Sequence, residues 1–266
     1  MTRILAITNQ KGGVGKTTTS INLAASLAAL GDRVLLVDLD PQGNATMGSG
    51  IDKHDVELTV CDLLLEPERT PQDAVLRAEA AAHDLLAANT DLTAAEVELL
   101  DQPRREYRLR ERLQPLAPGY DWILVDCPPS LSILTINALT AAGGVLIPMQ
   151  CEYYALEGLS ALLETIDAVR ERSNPQLEIE GLLRTMYDPR NSLTRDVSRQ
   201  LLGHFGDRVY RTVIPRNVRL AEAPSHGVPA LVYDRLSRGA VAYQALAGEV
   251  RRRHRRDRAA TTAAGA

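Results

Sequence analysis

The sequence predicts an α/β chain built on one doubly wound, mostly parallel sheet with helices on both faces. Three observations carry this. Short, uniformly apolar runs alternate with helical stretches. A Gly-rich turn joins the first apolar run to the first helix. Aspartates close two of the apolar runs.

The elements follow in order. Arg3-Ile-Leu-Ala-Ile-Thr8 is apolar at consecutive positions, the pattern of a strand buried on both faces. Thr17 to Leu30 has helical apolar spacing, and Gly31 supplies a C-terminal stop. Arg33-Val-Leu-Leu-Val-Asp38 reads as a second buried strand. Asp84 to Ala88, Trp122 to Asp126, Val145 to Met149 and Ile179 to Leu183 continue the series. Leu156 to Arg172 and Leu193 to His204 are helical. Glu66 to Leu116 is charged and Ala-rich, so surface helices are expected there. No repeat and no Pro/Ser linker divides the chain. One domain is expected over 1–256. The Ala/Thr-rich residues 257–266 lack apolar periodicity and are expected to form a disordered tail.

With 266 residues and 45% hydrophobic content, the chain can bury a sizeable core. A net charge of -4 excludes a globally basic protein, so any nucleic-acid contact must be a local patch. Of the 30 basic residues only Lys11, Lys16 and Lys53 are lysine. Cys61, Cys127 and Cys151 are far apart and odd in number, against a disulfide framework or a structural zinc site. No secretory leader opens the chain and no apolar run is long enough to cross a bilayer, so a cytoplasmic location is expected.

The strongest motif is Lys11-Gly-Gly-Val-Gly-Lys-Thr-Thr18, between the first strand and the first helix. Phosphate oxygens need closely approaching backbone N–H groups, and Gly12, Gly13 and Gly15 remove side chains that would block them. Val14, Thr17 and Thr18 complete the cradle, and the helix start adds the positive end of its dipole. Lys16 reaches the β- and γ-phosphates, and the Thr17 hydroxyl is a Mg²⁺ ligand. The usual pattern has Gly where this chain has Gln10. Thr18 replaces the third glycine of a dinucleotide fingerprint. What remains is a deviant phosphate loop with a second lysine, Lys11, at its start. The expected ligand is ATP.

Two acidic segments belong beside this loop, because ligands of parallel sheets sit at the C-terminal strand ends. In Asp38-Leu-Asp-Pro-Gln-Gly-Asn44, Asp40 is placed to orient or deprotonate the attacking water, with Asp38 supporting from behind. The same residues are good turn formers, and a plain turn is the competing reading. In Leu124-Val-Asp-Cys-Pro-Pro-Ser130, Asp126 ends a strand where a Mg²⁺-holding carboxylate is expected. A capping aspartate before a proline turn is the alternative. Cys127 reads as a small packed residue.

These motifs together resemble the ParA/MinD family of deviant Walker A ATPases. Gln150-Cys-Glu-Tyr-Tyr-Ala-Leu-Glu-Gly-Leu159 and Val213-Ile-Pro-Arg-Asn-Val-Arg-Leu-Ala-Glu-Ala-Pro-Ser-His-Gly227 are similar to Soj-type chromosome-partitioning members. The resemblance runs from about Arg3 to Val250. It implies an ATP-sandwich homodimer in which Lys11 reaches the partner's nucleotide. It implies that Asp40 is the catalytic aspartate and that Pro215 and Asn217 pack on adenine. It also implies non-specific DNA binding by the ATP dimer, with Arg190, Arg216 and Arg219 as DNA contacts and Arg219 foremost. Hydrolysis would be stimulated by a ParB-type centromere-binding partner, and the protein would be nucleoid-associated. An isolated arginine is also, ordinarily, just a solvated surface residue.

The dense run Arg251-Arg-Arg-His-Arg-Arg256 is a second candidate DNA contact or a solvated helix end. A MinD-type membrane-surface ATPase would need apolar anchors in its C-terminal helix. Nothing after Val250 is Leu, Ile, Phe or Trp, so no membrane partner is expected. An iron–sulfur reductase would need cysteines placed to share a cluster, whereas Cys127 and Cys151 lie in partition-type motifs. A ParA-like positioner of another cargo fits the motifs as well. The first strand begins at Arg3, so no helix-turn-helix is expected to precede it.

Overall fold

The computed structural model describes residues 2–153 and 155–264. The chain begins with β1 (Arg3–Ile7), α1 (Lys16–Ala29) and β2 (Val34–Asp38). Then come α2 (Asn44–Gly48), α3 (Val60–Leu65), β3 (Val75–Ala78), β4 (His83–Leu86), α4 (Leu92–Glu98) and α5 (Arg108–Leu113). The middle holds β5 (Trp122–Asp126), α6 (Ile133–Ala141), β6 (Gly144–Gln150), α7 (Ala155–Arg172), β7 (Glu178–Tyr187) and α8 (Ser192–Phe205). It closes with β8 (Val209–Pro215), α9 (Val218–Glu222), α10 (Ala230–Tyr233) and α11 (Arg238–Ala264).

Among the described residues, all eight strands form one sheet in the order β3-β4-β2-β5-β1-β6-β7-β8. Every neighbouring pair is parallel except β3 with β4. From β1 the chain winds first to one side and later to the other. The crevice at a switch point of this kind, outside the C-terminal strand ends, is where such sheets bind ligands.

Doubly buried strands still sort their side chains by alternation. Ala6, Leu35, Val37, Ile123 and Val125 join one core. Leu5, Ile7, Leu36, Trp122 and Leu124 join the other. Residues from α3 to α8 fill the first core; α1 and α11 dominate the second. There Ile21, Leu23 and Leu27 meet Tyr243, Leu246 and Val250. Each such side chain, fully buried, contributes about 1.5–3 kcal/mol. Gly31, at φ +87°, closes α1 as expected.

Three stretches differ from the sequence reading. The segment 66–116 contains β3 as well as short helices. Val75-Leu-Arg-Ala is too short and too mixed to announce an edge strand. β8 also escaped prediction. Its N–H groups at Arg211 and Thr212 donate to the Glu249 carboxylate of α11, both at 2.9 Å, so a helix covers this sheet edge. Third, α11 continues to Ala264 where an irregular tail was expected; its Ala-rich end favours helix. Gly265 and Ala266 lie outside the described residues.

One crossing ties the loop after α2 to the turn after α9. A Cβ on Gly50 would lie 2.7 Å from the Gly227 carbonyl oxygen. One on Gly227 would lie 2.9 Å from Gly50 Cα. Both glycines have positive φ, +86° and +62°.

Candidate nucleotide site

Gly13 and Gly15 take φ of +73° and +87°, which turns the chain sharply from β1 into α1. Gly15 is the N-cap and offers no side chain, so the first N–H groups of this 14-residue helix have no side-chain cap. The loop is held from beneath. Asn9 donates to the Pro148 carbonyl at 2.8 Å and accepts from Lys11 N–H at 3.0 Å. The Thr185 hydroxyl donates to the Val14 carbonyl at 2.7 Å. The Gln150 amide donates to the Gly13 carbonyl at 3.3 Å.

Lys16 is buried, and its Nζ donates to the Lys11 carbonyl at 3.3 Å. Burial pushes its pKa down, against the opposing charges of Asp126, Cys127 and Asp40. Lys11 points elsewhere. Its Nζ lies 2.6 Å from Glu152 Oε2, with both side chains near half exposure. The second lysine of the loop is therefore paired within its own chain.

The strand-end carboxylates sit side by side. Asp38 and Asp126 are fully buried partners in the β2–β5 register. Asp38 accepts from the Thr46 N–H and hydroxyl, each at 2.8 Å, and from Asp40 N–H at 3.2 Å. It is spent on organising the loop after β2. Asp126 accepts from Ser20 at 2.7 Å through Oδ1, while its buried Oδ2 has no hydrogen-bond partner among the described residues. Desolvation, then the Asp38 charge, raises the Asp126 pKa; the Ser20 and Thr17 hydroxyls oppose this. An orphaned carboxylate oxygen beside a threonine at the first turn of a phosphate-loop helix fits a Mg²⁺ ion, which Thr17 and Asp126 would hold. Asp40 is also buried, and its Oδ1 accepts from Gln42 N–H at 3.0 Å.

Pro215 ends β8 and Asn217 caps α9, accepting from Arg219 N–H at 3.0 Å. Tyr187 and Pro215 are register partners, so the chains leaving β7 and β8 emerge together. Arg190 grips Asp188 through Nε and Nη2 at 2.9 and 2.7 Å. Those hydrogen bonds, from side chain and backbone, hold Asp188 down to about 2, and the charge of Arg216 adds to the effect. The Tyr187–Pro215 pairing brings the Arg190 turn and Arg216, distant in sequence, to the same end of the sheet. Arg219 sits between Glu222 at 2.7 Å and Asp234 at 3.4 Å. Its surroundings carry net negative charge, which weakens its claim to be the foremost phosphate contact. In the basic run, Arg251 pairs with Asp32 and Arg253 pairs with Glu249 while stacking 4.2 Å over the Tyr210 ring. Arg252, Arg255 and Arg256 remain exposed.

Ser20, Thr46, Gln150, Glu152 and Thr185 were not singled out from the sequence. Ser20 follows Lys16 by one helical turn, and that spacing could have found it. Thr185 could not be found, because only the β6–β7 pairing brings it under the loop. Cys61, Cys127 and Cys151 are all buried. Cys127 packs as expected, with its thiol pushed up by burial.

The sequence profile of the AAA domain family matches residues 2–179. The chromosome partitioning protein ParA of Caulobacter vibrioides is 52% identical over 98% of both chains. The sporulation initiation inhibitor protein Soj of Bacillus subtilis is 55% identical over 94% of this chain and 98% of its own. The chain belongs to the ParA/MinD family of deviant Walker A ATPases. It is an ATP hydrolase that uses Mg²⁺. A solved structure described as cobyrinic acid a,c-diamide synthase from Mycobacterium smegmatis, with bound ATP analogue and magnesium, is 40% identical. It superposes with a TM-score of 0.84 over 96% of each chain. No described helix of the present ParA/MinD member is long and apolar enough to cross a membrane.

Proposed function

We propose that this ParA/MinD member is a DNA-partitioning ATPase. Its ATP-bound homodimer holds chromosomal or plasmid DNA without sequence preference. It lets go after hydrolysis stimulated by a ParB-type centromere-binding partner, which makes it nucleoid-associated. The observation that carries this reading is the pairing of Tyr187 with Pro215, which brings the Arg190 turn and Arg216 to the same end of β7 and β8. Two guanidinium groups there suit phosphate oxygens, and phosphate contacts give affinity without base readout. Arg219 would join them by exchanging its carboxylates for phosphate. The full-length relatives named for chromosome partitioning support the same reading.

In this reading the phosphates lie on the N–H groups of Gly12 to Thr18, and adenine lies against Pro215 and Asn217. Bound Mg²⁺ supplies neutralisation of the phosphate charge. Lys16 gives up its bond to the Lys11 carbonyl and turns to the β- and γ-phosphates. Asp40 aligns the attacking water and takes its proton as the bond from the γ-phosphorus to the bridging oxygen breaks, releasing ADP and phosphate. Lys11 leaves Glu152 and reaches the partner protomer's nucleotide, so dimerisation and charge stabilisation coincide.

Fluorescence anisotropy on a non-specific duplex, with ATP, ADP or no nucleotide across a salt series, tests this. ATP-selective binding that weakens linearly with the logarithm of salt concentration is expected. Absence of binding in all three conditions would remove DNA and leave the ATPase.

A further inference from the structure

Thr185, under the phosphate loop, is followed directly by Met186, a non-glycine residue at φ +47°. That left-handed conformation is unfavourable for a side chain bearing a Cβ and persists only where the surroundings enforce it. Here they do. The Gln150 amide that reaches the Gly13 carbonyl also packs directly against Met186 Sδ. Thr185 is 3% exposed, and its methyl group lies 3.9 Å from where a Cβ on Gly15 would be. The β7–β8 register slips between Arg184 and Tyr187, across this same residue. Asp188 and Arg190 follow at once, with Asn191 capping α8 through its bond from Leu193 N–H.

One carbonyl of the phosphate loop is thus tied to the residue before Met186 and a second, through Gln150, meets the Met186 side chain, and the arginine turn begins two residues later. Triphosphate bound by the loop would draw its N–H groups outward, and the Gly13 and Val14 carbonyls on the underside would carry Gln150 and Thr185 with them. Met186 has a lower-energy extended alternative. Reaching it would remove the slip against β8 and re-aim the turn that carries Arg190.

We infer that Thr185 and Met186 are positioning residues that couple the phosphate loop to the Arg190 turn, so that nucleotide binding sets the presentation of Arg190. The inference deepens the DNA-partitioning reading and rests on it for its purpose, but its mechanical content needs no DNA.

The test is limited trypsin digestion without DNA, following cleavage after Arg190 by mass spectrometry, with and without a non-hydrolysable ATP analogue. Dimerisation is followed by size-exclusion chromatography and nucleotide affinity by a fluorescent ATP analogue. The wild type should change its cleavage rate after Arg190 at least about fivefold on nucleotide binding. Thr185→Val keeps the side-chain shape but removes the donor. At nucleotide concentrations that saturate it, and with dimerisation checked in the same samples, it should lose most of that change. Met186→Gly accepts either backbone conformation freely and should be cut at one rate in both states. A wild-type nucleotide response in Met186→Gly, or in a folded Thr185→Val, would overturn the inference. So would a wild type whose cleavage ignores nucleotide. DNA anisotropy on the same samples reports separately. A wild type with the cleavage response but no DNA binding would remove the DNA reading and keep the coupling.

Discussion

Asp38 and Asp126 face each other as register partners at the C-terminal ends of β2 and β5, two fully buried carboxylates on adjacent strands. Asp38 spends its oxygens on Thr46 and Asp40; Asp126 keeps one oxygen unbonded among the described residues. Burial, and then the Asp38 charge, raise the Asp126 pKa, so its carboxyl is held towards the neutral form, away from the ionised state it takes when unfolded. The nucleotide-free protein therefore bears a local penalty where Mg²⁺ would be held. Asp126→Asn should stabilise it by about 1–3 kcal/mol, seen as a higher melting temperature, while abolishing Mg²⁺-dependent hydrolysis. Thermal denaturation without metal or nucleotide checks this, and a lower-melting Asn variant would contradict it.

Lys16→Ala removes the only cation buried within the phosphate loop. Steady-state phosphate release should fall at least about 100-fold, since single preorganised charge donors carry effects of that size. Normal turnover in this variant would sink the assignment of the loop.

Asp40→Ala should separate binding from chemistry. A lost general base typically slows the reaction about 10²–10⁴-fold. Fluorescent-nucleotide affinity should stay within about threefold of wild type. Turnover at the wild-type rate would take the aspartate out of its role.

His83 gives the protein an acid-sensitive element away from the site. The ring is fully buried in β4 with Nε2 unbonded among the described residues, and burial lowers its pKa to about 4. A base depressed in the fold contributes stability that is present above its unfolded value near 6.5. That contribution is lost as pH falls towards 4. The loss is on the order of 2–3 kcal/mol. His83→Leu should flatten the melting temperature between pH 6.5 and 4.5, measured without nucleotide. An unchanged acid slope in the variant would show that other groups set it.

Gly227→Ala should destabilise by about 2–4 kcal/mol, because the added methyl meets Gly50 backbone at 2.9 Å and the φ is +62°. Urea denaturation measures it. A neutral result would mean that the two loops can part at no cost.

Much of this was legible in the residues. The strand ending at Asp126 and the loop at 11–18 declare themselves, because hydrophobic runs and glycines act locally. The sheet class follows from their alternation. Less local features were not legible. β8 is recognisable only with Glu249 covering its edge. The support of Thr185 for Val14 depends on strand order. The carboxylates around Arg219 come from one residue a helical turn away and another beyond α10, so its crowding could not be seen in advance.

The scarcity of lysine now has a practical consequence. Lys16 is enclosed, Lys11 is held by Glu152, and Lys53 donates to the Gln42 carbonyl in the loop after β2. Every side-chain amine in the chain lies in or beside the nucleotide site. Apart from the terminal α-amine, an amine-selective reagent that spares arginine would report on that site. If Lys11 leaves Glu152 for a second protomer as proposed, the rate at which it is modified would register that release, giving a chemical clock for dimerisation without any engineered probe.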